Sequence, residues 1–192
     1  MLEEEYQATH RPVGAQRNLP PLEVPFEYSI RDARLEDMPD IREIYNHYVA
    51  NSTVTFDEVP QSLRQTRSKF QHLKKLGMPY LVAESPSQQI LGYAYVYPWK
   101  EKAAYRFTVE NSIYLRAAST GKGLGKVLMG ELITRSKQAG LKEIIAVIAD
   151  RGAEASIKMH QDFGFKEIGR MGKVGFKFER WLGTVLMQKS LK

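Results

Sequence analysis

The stretch Ser119-Thr120-Gly121-Lys122-Gly123-Leu124-Gly125-Lys126 joins a β-rich run, Phe107 to Leu115, to a helix-patterned run, Leu124 to Gln138, and its reading decides the fold. Glycines on alternate residues leave the backbone free of Cβ atoms. Successive N–H groups can then converge on one concavity at the start of a helix, where the dipole favours an anion. Lys122 and Lys126 add positive charge. The alternative is a flexible surface turn. Two nucleotide-binding patterns fail here. A Walker loop needs Gly at 120 and Ser or Thr at 127, where Thr120 and Val127 stand; a dinucleotide G-x-G-x-x-G starting at Gly121 needs Gly or Ala at 126, where Lys126 stands. A phosphate held by this turn belongs to a different ligand.

Working outward, the helix after the turn places Leu124, Val127, Leu128, Leu132 and Ala139 on one face and stops at Gly140; Glu143 to Ala149 then forms a nearly all-apolar strand. A strand–helix–strand unit with parallel pairing is implied. Upstream, Tyr80 to Glu84 and Ile90 to Tyr97 flank Ser85 to Gln89 as an antiparallel hairpin. Before that, Asp32 to Asn51 and Ser62 to Leu76 carry amphipathic helical spacing, and Tyr28 to Arg31 forms a short first strand. A fourth helix over Ala153 to Asp162 breaks at Gly164, and Phe165 to Met171 and Trp181 to Lys189 complete the sheet. The pattern predicts an α/β (α+β) domain over 28–192, a single mixed sheet of about seven strands flanked by about four helices. Residues 1–27, with four prolines and no sustained periodicity, read as an extended or disordered arm.

The chain has 192 residues, 43% of them hydrophobic, enough for one packed core. It has no cysteine, which excludes disulfides, thiolate metal ligands and a cysteine nucleophile. No apolar run is long enough to span a bilayer and the N-terminus is Glu-rich, so a soluble, cytoplasmic protein without membrane contact is expected. Net charge is +6; residues 1–27 hold five Glu and two Arg, hence −3, which leaves +9 on the rest. That excess suits nucleic acid or a polyphosphate-bearing cofactor equally, but basic–aromatic interleaving and a recognition helix are both missing, so no nucleic-acid partner is expected.

The residues resemble the GCN5-related N-acetyltransferase (GNAT) superfamily, whose pattern at this turn, Arg/Gln-x-x-Gly-x-Gly/Ala, binds the pyrophosphate of acetyl-CoA. The match is closest to its phosphinothricin acetyltransferase-like branch, through Ile44-Tyr45-Asn46-His47-Tyr48-Val49, Thr53-x-Thr55-Phe56, Gly92-Tyr93-Ala94, Thr108-Val109-Glu110-x-Ser112-x-Tyr114, Ala155-Ser156-Ile157-x-x-x-His160 and Lys177-x-x-Arg180-Trp181. Three positions depart from it. Thr120 replaces the Arg or Gln, with Lys122 as a substitute donor; Ala153 stands where many relatives have Asn; and Gly183 replaces the branch's Asp after Trp181.

The resemblance implies acetyl-CoA as cosubstrate, held by Ile113, Tyr114, Leu115, Thr120, Gly121, Lys122, Gly123, Leu124, Gly125, Lys126 and Ser156, with a backbone N–H near Leu115 polarising the thioester carbonyl. No metal is implied. Glu110 is the candidate base, because a carboxylate inside an apolar-leaning strand has its pKa raised toward the useful range; the alternative is a solvent-face residue alternating with Val109. His160 falls where many acetyltransferases of this fold have a tyrosine that protonates the CoA sulfur, and is either that acid or a histidine packed beside the cofactor. Phe56, Lys100, Tyr105, Arg106 and Lys177 are the residues expected around the acceptor, a small-molecule amine such as phosphinothricin or methionine sulfoximine. A homodimer is expected. The competing functions are acetylation of a protein N-terminus or lysine, and a CoA-binding module without turnover.

Overall fold

The computed structural model describes residues 26–192, so the expected arm over 1–27 lies, but for its last two residues, outside the described residues. Strands β1 (Ser29–Asp32), β2 (Tyr80–Glu84), β3 (Ile90–Pro98), β4 (Thr108–Leu115), β5 (Glu143–Ala149), β6 (Lys166–Lys177) and β7 (Arg180–Ser190) form one sheet in the order β1-β2-β3-β4-β5-β7-β6. Helices α1 (Met38–Asn51), α2 (Leu63–Lys75), α3 (Leu124–Gln138) and α4 (Glu154–Asp162) cover it. Every neighbouring pair is antiparallel except β4 and β5, which α3 joins by a crossover. Among the described residues no helix is long and apolar enough to cross a membrane.

Strands β2, β3 and β5 are buried on both faces, which is why they read as nearly unbroken apolar runs. Leu81, Ala83, Ala94, Val96, Val109, Ile144 and Ala146 pack against Leu124, Leu128, Met129 and Leu132 of α3. On the other face Tyr80, Val82, Tyr93 and Tyr95 pack against Ile41 and Ile44 of α1 and Phe70 and Leu73 of α2. Helix α2 starts on a capping box in which Ser62 Oγ accepts from Gln65 N at 3.3 Å and Gln65 Oε1 accepts from Ser62 N at 2.8 Å. Gly92 lets β3 meet the end of β4, since a Cβ there would stand 2.6 Å from Leu115 Cδ2.

Strand β6 runs six residues beyond Met171, its expected end, with irregular register between Met171 and Gly175. The extension closes on a two-residue turn, Phe178-Glu179, with φ of 50° and 59°. Such a turn suits the twist of a hairpin but ordinarily draws Asn and Gly, so its sequence gave no signal.

Candidate active site

The pairing of β4 with β5 lasts only three residues, Thr108–Glu143, Val109–Ile144 and Glu110–Ile145. Beyond it β4 stays on β3 and β5 stays on β7, so the two strands part. A cavity of about 950 Å³ fills the opening, with Glu110 to Leu115 on one wall and Ala146 to Ala149 on the other. Thr108 O accepts from Trp99 N at 3.1 Å and Arg116 N donates to Leu91 O at 2.8 Å, so even-numbered backbone groups of β4 face β3. Alternation turns the odd-numbered groups toward β5, where the Asn111 N–H closes the last bridge to Ile145 and the N–H groups of Ile113 and Leu115 face the opening. Tyr48 Oη occupies the Leu115 carbonyl, donating to it at 2.7 Å.

At one end the cavity meets the glycine turn. Gly121 and Gly123 have φ of 74° and 80°, a conformation that L side chains resist. Among the described residues no protein acceptor takes the N–H groups of Gly121, Lys122, Gly123, Leu124 or Gly125, which makes the turn a nest of free donors at the start of α3. The lining includes Thr120, Gly121, Gly123, Gly125 and Lys126. The Thr120 hydroxyl donates back to Ala117 O at 2.8 Å, and Lys126 Nζ pairs with Asp162 at 3.1 Å. Lys122 lies outside the lining, its Nζ 4.7 Å from the Phe26 ring, and the buried Leu124 side chain belongs to the core. Ala153 caps α4 without a side-chain bond and lines the cavity with Ser156.

At the other end stands Glu110, half-buried, with Tyr97 as its cross-strand partner. Burial pushes its carboxyl above the usual carboxylate range, while the Tyr97 hydroxyl and the charges of Lys100 and Lys69 oppose that shift. Tyr45, Tyr95, Tyr97, Tyr114, Asp57 and Lys69 complete this end of the lining. The tyrosines pack ring on ring: Tyr93 and Tyr95 stack with centroids 6.1 Å apart, and Tyr45 meets Tyr114 edge-on at 5.2 Å.

His160, 4% exposed, sits between α4 and β4. Its Nδ1 lies 2.7 Å from Ser156 O and its Nε2 lies 3.0 Å from Asn111 Nδ2. A carbonyl only accepts, so the ring proton is on Nδ1. Burial holds the ring's pKa below its usual value despite that bond, and the neutral ring takes the Asn111 N–H on Nε2. Asn111 Oδ1, buried in the cavity wall, has no partner among the described residues.

Of the expected acceptor residues, Phe56 lines the cavity, seated over Gly175, where a Cβ would come within 2.5 Å of the ring. Lys177, 2% exposed, donates to Ser52 O at 2.8 Å and Thr55 O at 2.9 Å, which ties the loop carrying Phe56 to β6, and it is not among the residues that line the cavity. Lys100, Tyr105 and Arg106 are exposed and outside the lining: Lys100 Nζ lies 4.5 Å from the Trp99 ring, and Arg106 stacks on Phe107 at 4.5 Å. Tyr97, Asn111 and Lys69 were missed by sequence reasoning. Lys69 carried the one usable signal, a cation one turn from Thr66 and Leu73 on the buried stripe of α2. The space that a side chain at 183 would take is filled from elsewhere, since Asp150 Oδ1 accepts from Gly183 N at 2.9 Å and its Oδ2 lies 2.6 Å from the position of that missing Cβ.

A mixed sheet parted between β4 and β5, with free N–H donors at one end and a half-buried carboxyl at the other, fits a transferase whose group donor carries phosphate. Residues 30–186 match the family model of the acetyltransferase (GNAT) domain, and the chain belongs to this family of acetyltransferases. It is 40% identical to a phosphinothricin N-acetyltransferase of Alcaligenes faecalis over 163 residues, covering 85% of this chain and 82% of that protein. It is 41% identical to an L-methionine sulfoximine/L-methionine sulfone acetyltransferase of Pseudomonas paraeruginosa, covering 85% and 94%. Among solved structures, a GNAT-superfamily phosphinothricin acetyltransferase of Sinorhizobium meliloti in complex with acetyl-CoA matches with a TM-score of 0.81 and 40% identity, over 85% of this chain and 88% of that one.

Proposed function

We propose that this chain transfers acetyl from acetyl-CoA to the primary amine of a small amino-acid-like acceptor, of the phosphinothricin or methionine sulfoximine type, by direct transfer within a ternary complex. The observation that carries the reading is the single cavity running from the free donors at 121–125 to Glu110. The nest and the adjoining Thr120 and Lys126 hold the diphosphate, and the wall formed by Ile113, Tyr114, Leu115 and Ser156 holds the pantetheine arm. The exposed N–H groups of β4 accept the charge that develops on the thioester oxygen. Glu110 takes a proton from the acceptor's ammonium; the amine nitrogen bonds to the carbonyl carbon, the C–S bond breaks, and the sulfur leaves with its electron pair, taking up the second proton that the nitrogen sheds as the amide forms and so becoming the CoA thiol. The chain has no cysteine to carry the acetyl group, in keeping with direct transfer.

The protein works as a homodimer. The support is the β6–β7 edge, where Ile168, Met171, Val174, Phe176, Phe178 and Trp181 are all more than 40% exposed on one hairpin.

Thiol release from acetyl-CoA, measured across amino-acid analogues and peptides, tests the activity. Release with methionine sulfoximine or phosphinothricin is expected. Release with peptides alone would make the protein a peptide acetyltransferase, and CoA binding without release would make it a binding module.

A further inference from the structure

We propose that Lys69 receives the carboxylate of the acceptor and so makes the enzyme selective for α-amino acids over amines that lack this group. The inference rests on the reading of the cavity as an acetyl-transfer site.

Two lysines line the cavity, and they differ in what they already hold. Lys126, at the diphosphate end, is paired with Asp162. Lys69, at the Glu110 end, is half-buried, and no carboxylate stands within 4.0 Å of its nitrogen among the described residues. Its position is nonetheless fixed. Nζ donates to Tyr95 Oη at 2.6 Å and lies 4.6 Å from the Tyr95 ring centroid and 5.6 Å from that of Tyr97. Those tyrosines sit on β3, whose Tyr97 is the cross-strand partner of Glu110. An ammonium has three donors, and Tyr95 uses one. A cation partly withdrawn from water, held against aromatic faces and left without a counter-ion gains most from an anion brought by a ligand.

Charge sets the chemistry of that ligand. Lys69 lies near enough to Glu110 for its charge to be felt by the carboxyl. In an α-amino acid the amine and the carboxylate share one carbon, so an amine placed at Glu110 carries its carboxylate to Lys69. Asp57, whose Oδ2 accepts from Tyr45 Oη at 2.7 Å and Gln61 Nε2 at 3.3 Å, lines the same end and leaves it with both signs of charge, as a zwitterion requires. The cations expected from sequence do not compete for this role, because Lys177 is committed to two carbonyls and Lys100 and Arg106 stand outside the lining.

The test measures steady-state acetylation of methionine sulfoximine and of its α-carboxamide by the full-length protein, with Lys69→Met and Lys69→Arg beside wild type. For Lys69→Met the preference for the acid over the carboxamide, as a ratio of kcat/KM, should fall at least tenfold, chiefly through a raised KM for the acid. Lys69→Arg should recover part of it. Calorimetric titration with CoA checks that both variants are folded and bind as wild type does. An unchanged preference in folded Lys69→Met overturns the assignment, and so does an equal loss on both acceptors. A wild type that acetylates peptides and neither amino-acid acceptor would instead sink the proposed function.

Discussion

Asn111 Nδ2 lies 3.0 Å from His160 Nε2, and the opposite edge of the same ring lies 2.7 Å from the carbonyl of Ser156, one turn back in α4. Both ring nitrogens are therefore used, and the proton faces the helix rather than the cavity. We propose that this ring works through the Asn111 carboxamide, which makes His160 a positioning residue. His160→Phe should lower kcat about tenfold through lost order at Asn111 while the acid limb of the pH–rate profile stays in place, with His160→Gln restoring part of the rate. Disappearance of a limb in His160→Phe would identify the imidazole as the proton donor to sulfur.

Glu110 should control that acid limb. Its carboxyl titrates above the ordinary range because it is buried, and only the ionised form takes a proton, so activity falls as pH drops through the raised value. Glu110→Gln should lower kcat about 10²- to 10⁴-fold. Stability should move the other way. A group whose folded pKa is raised favours folding at pH values below its unfolded pKa and loses that contribution as pH rises through the folded one. At pH values above its unfolded pKa the partly desolvated Glu110 therefore costs stability, and Glu110→Gln should melt higher than wild type at pH 7 but not at pH 4. A melting temperature lowered equally at both pH values would contradict this.

Lys177 is buried between Ser52 O and Thr55 O. Lys177→Met removes both bonds and leaves two carbonyls without their donor, and should destabilise the fold by about 2 kcal/mol in urea titration. The KM for the acceptor should rise with it, because the freed loop carries Phe56 and Asp57. A raised KM with an unchanged urea midpoint would return Lys177 to direct contact with the acceptor.

The β6–β7 hairpin should carry the subunit contact. Replacing Phe176 and Trp181, 52% and 56% exposed with ring centroids 5.3 Å apart, by Ser and Gln should convert a dimer into monomers in light scattering. A wild type that is monomeric at micromolar concentration would rule the dimer out.

The elements whose signals are local were legible from sequence. Helix α3 begins at Leu124 and ends at Gln138 as its glycines and spacing predict, and β5 spans Glu143–Ala149 because burial on both faces leaves it uniformly apolar. Inside α3 the face was read less well: Val127 is 42% exposed and Met129 is buried, since the stripe turned to the sheet runs through Leu124, Leu128, Met129, Leu132 and Ser136. The site's polar partners were not legible. Tyr97 reaches Glu110 through cross-strand register, Asn111 reaches His160 across 49 residues, and Lys177 reaches Ser52 across 125. Lys69 was legible only as a cation one turn from the buried Thr66 and Leu73, a spacing that does not say what the cation faces.

Calorimetric titration of coenzyme A into wild type, Gly123→Ala and Gly130→Ala tests most directly whether the opening between β4 and β5 is the carrier site. Gly123 has φ of 80°, so a Cβ there strains the nest by about 1–2 kcal/mol. Gly130 lies in the same helix but outside the cavity lining, and a Cβ there meets only the Phe163 ring, at 3.5 Å and 3.8 Å, both ordinary contacts. The expected result is one site per chain in wild type, retained in Gly130→Ala and weakened at least tenfold in Gly123→Ala. No heat from folded wild type, or equal affinity in Gly123→Ala, would contradict it.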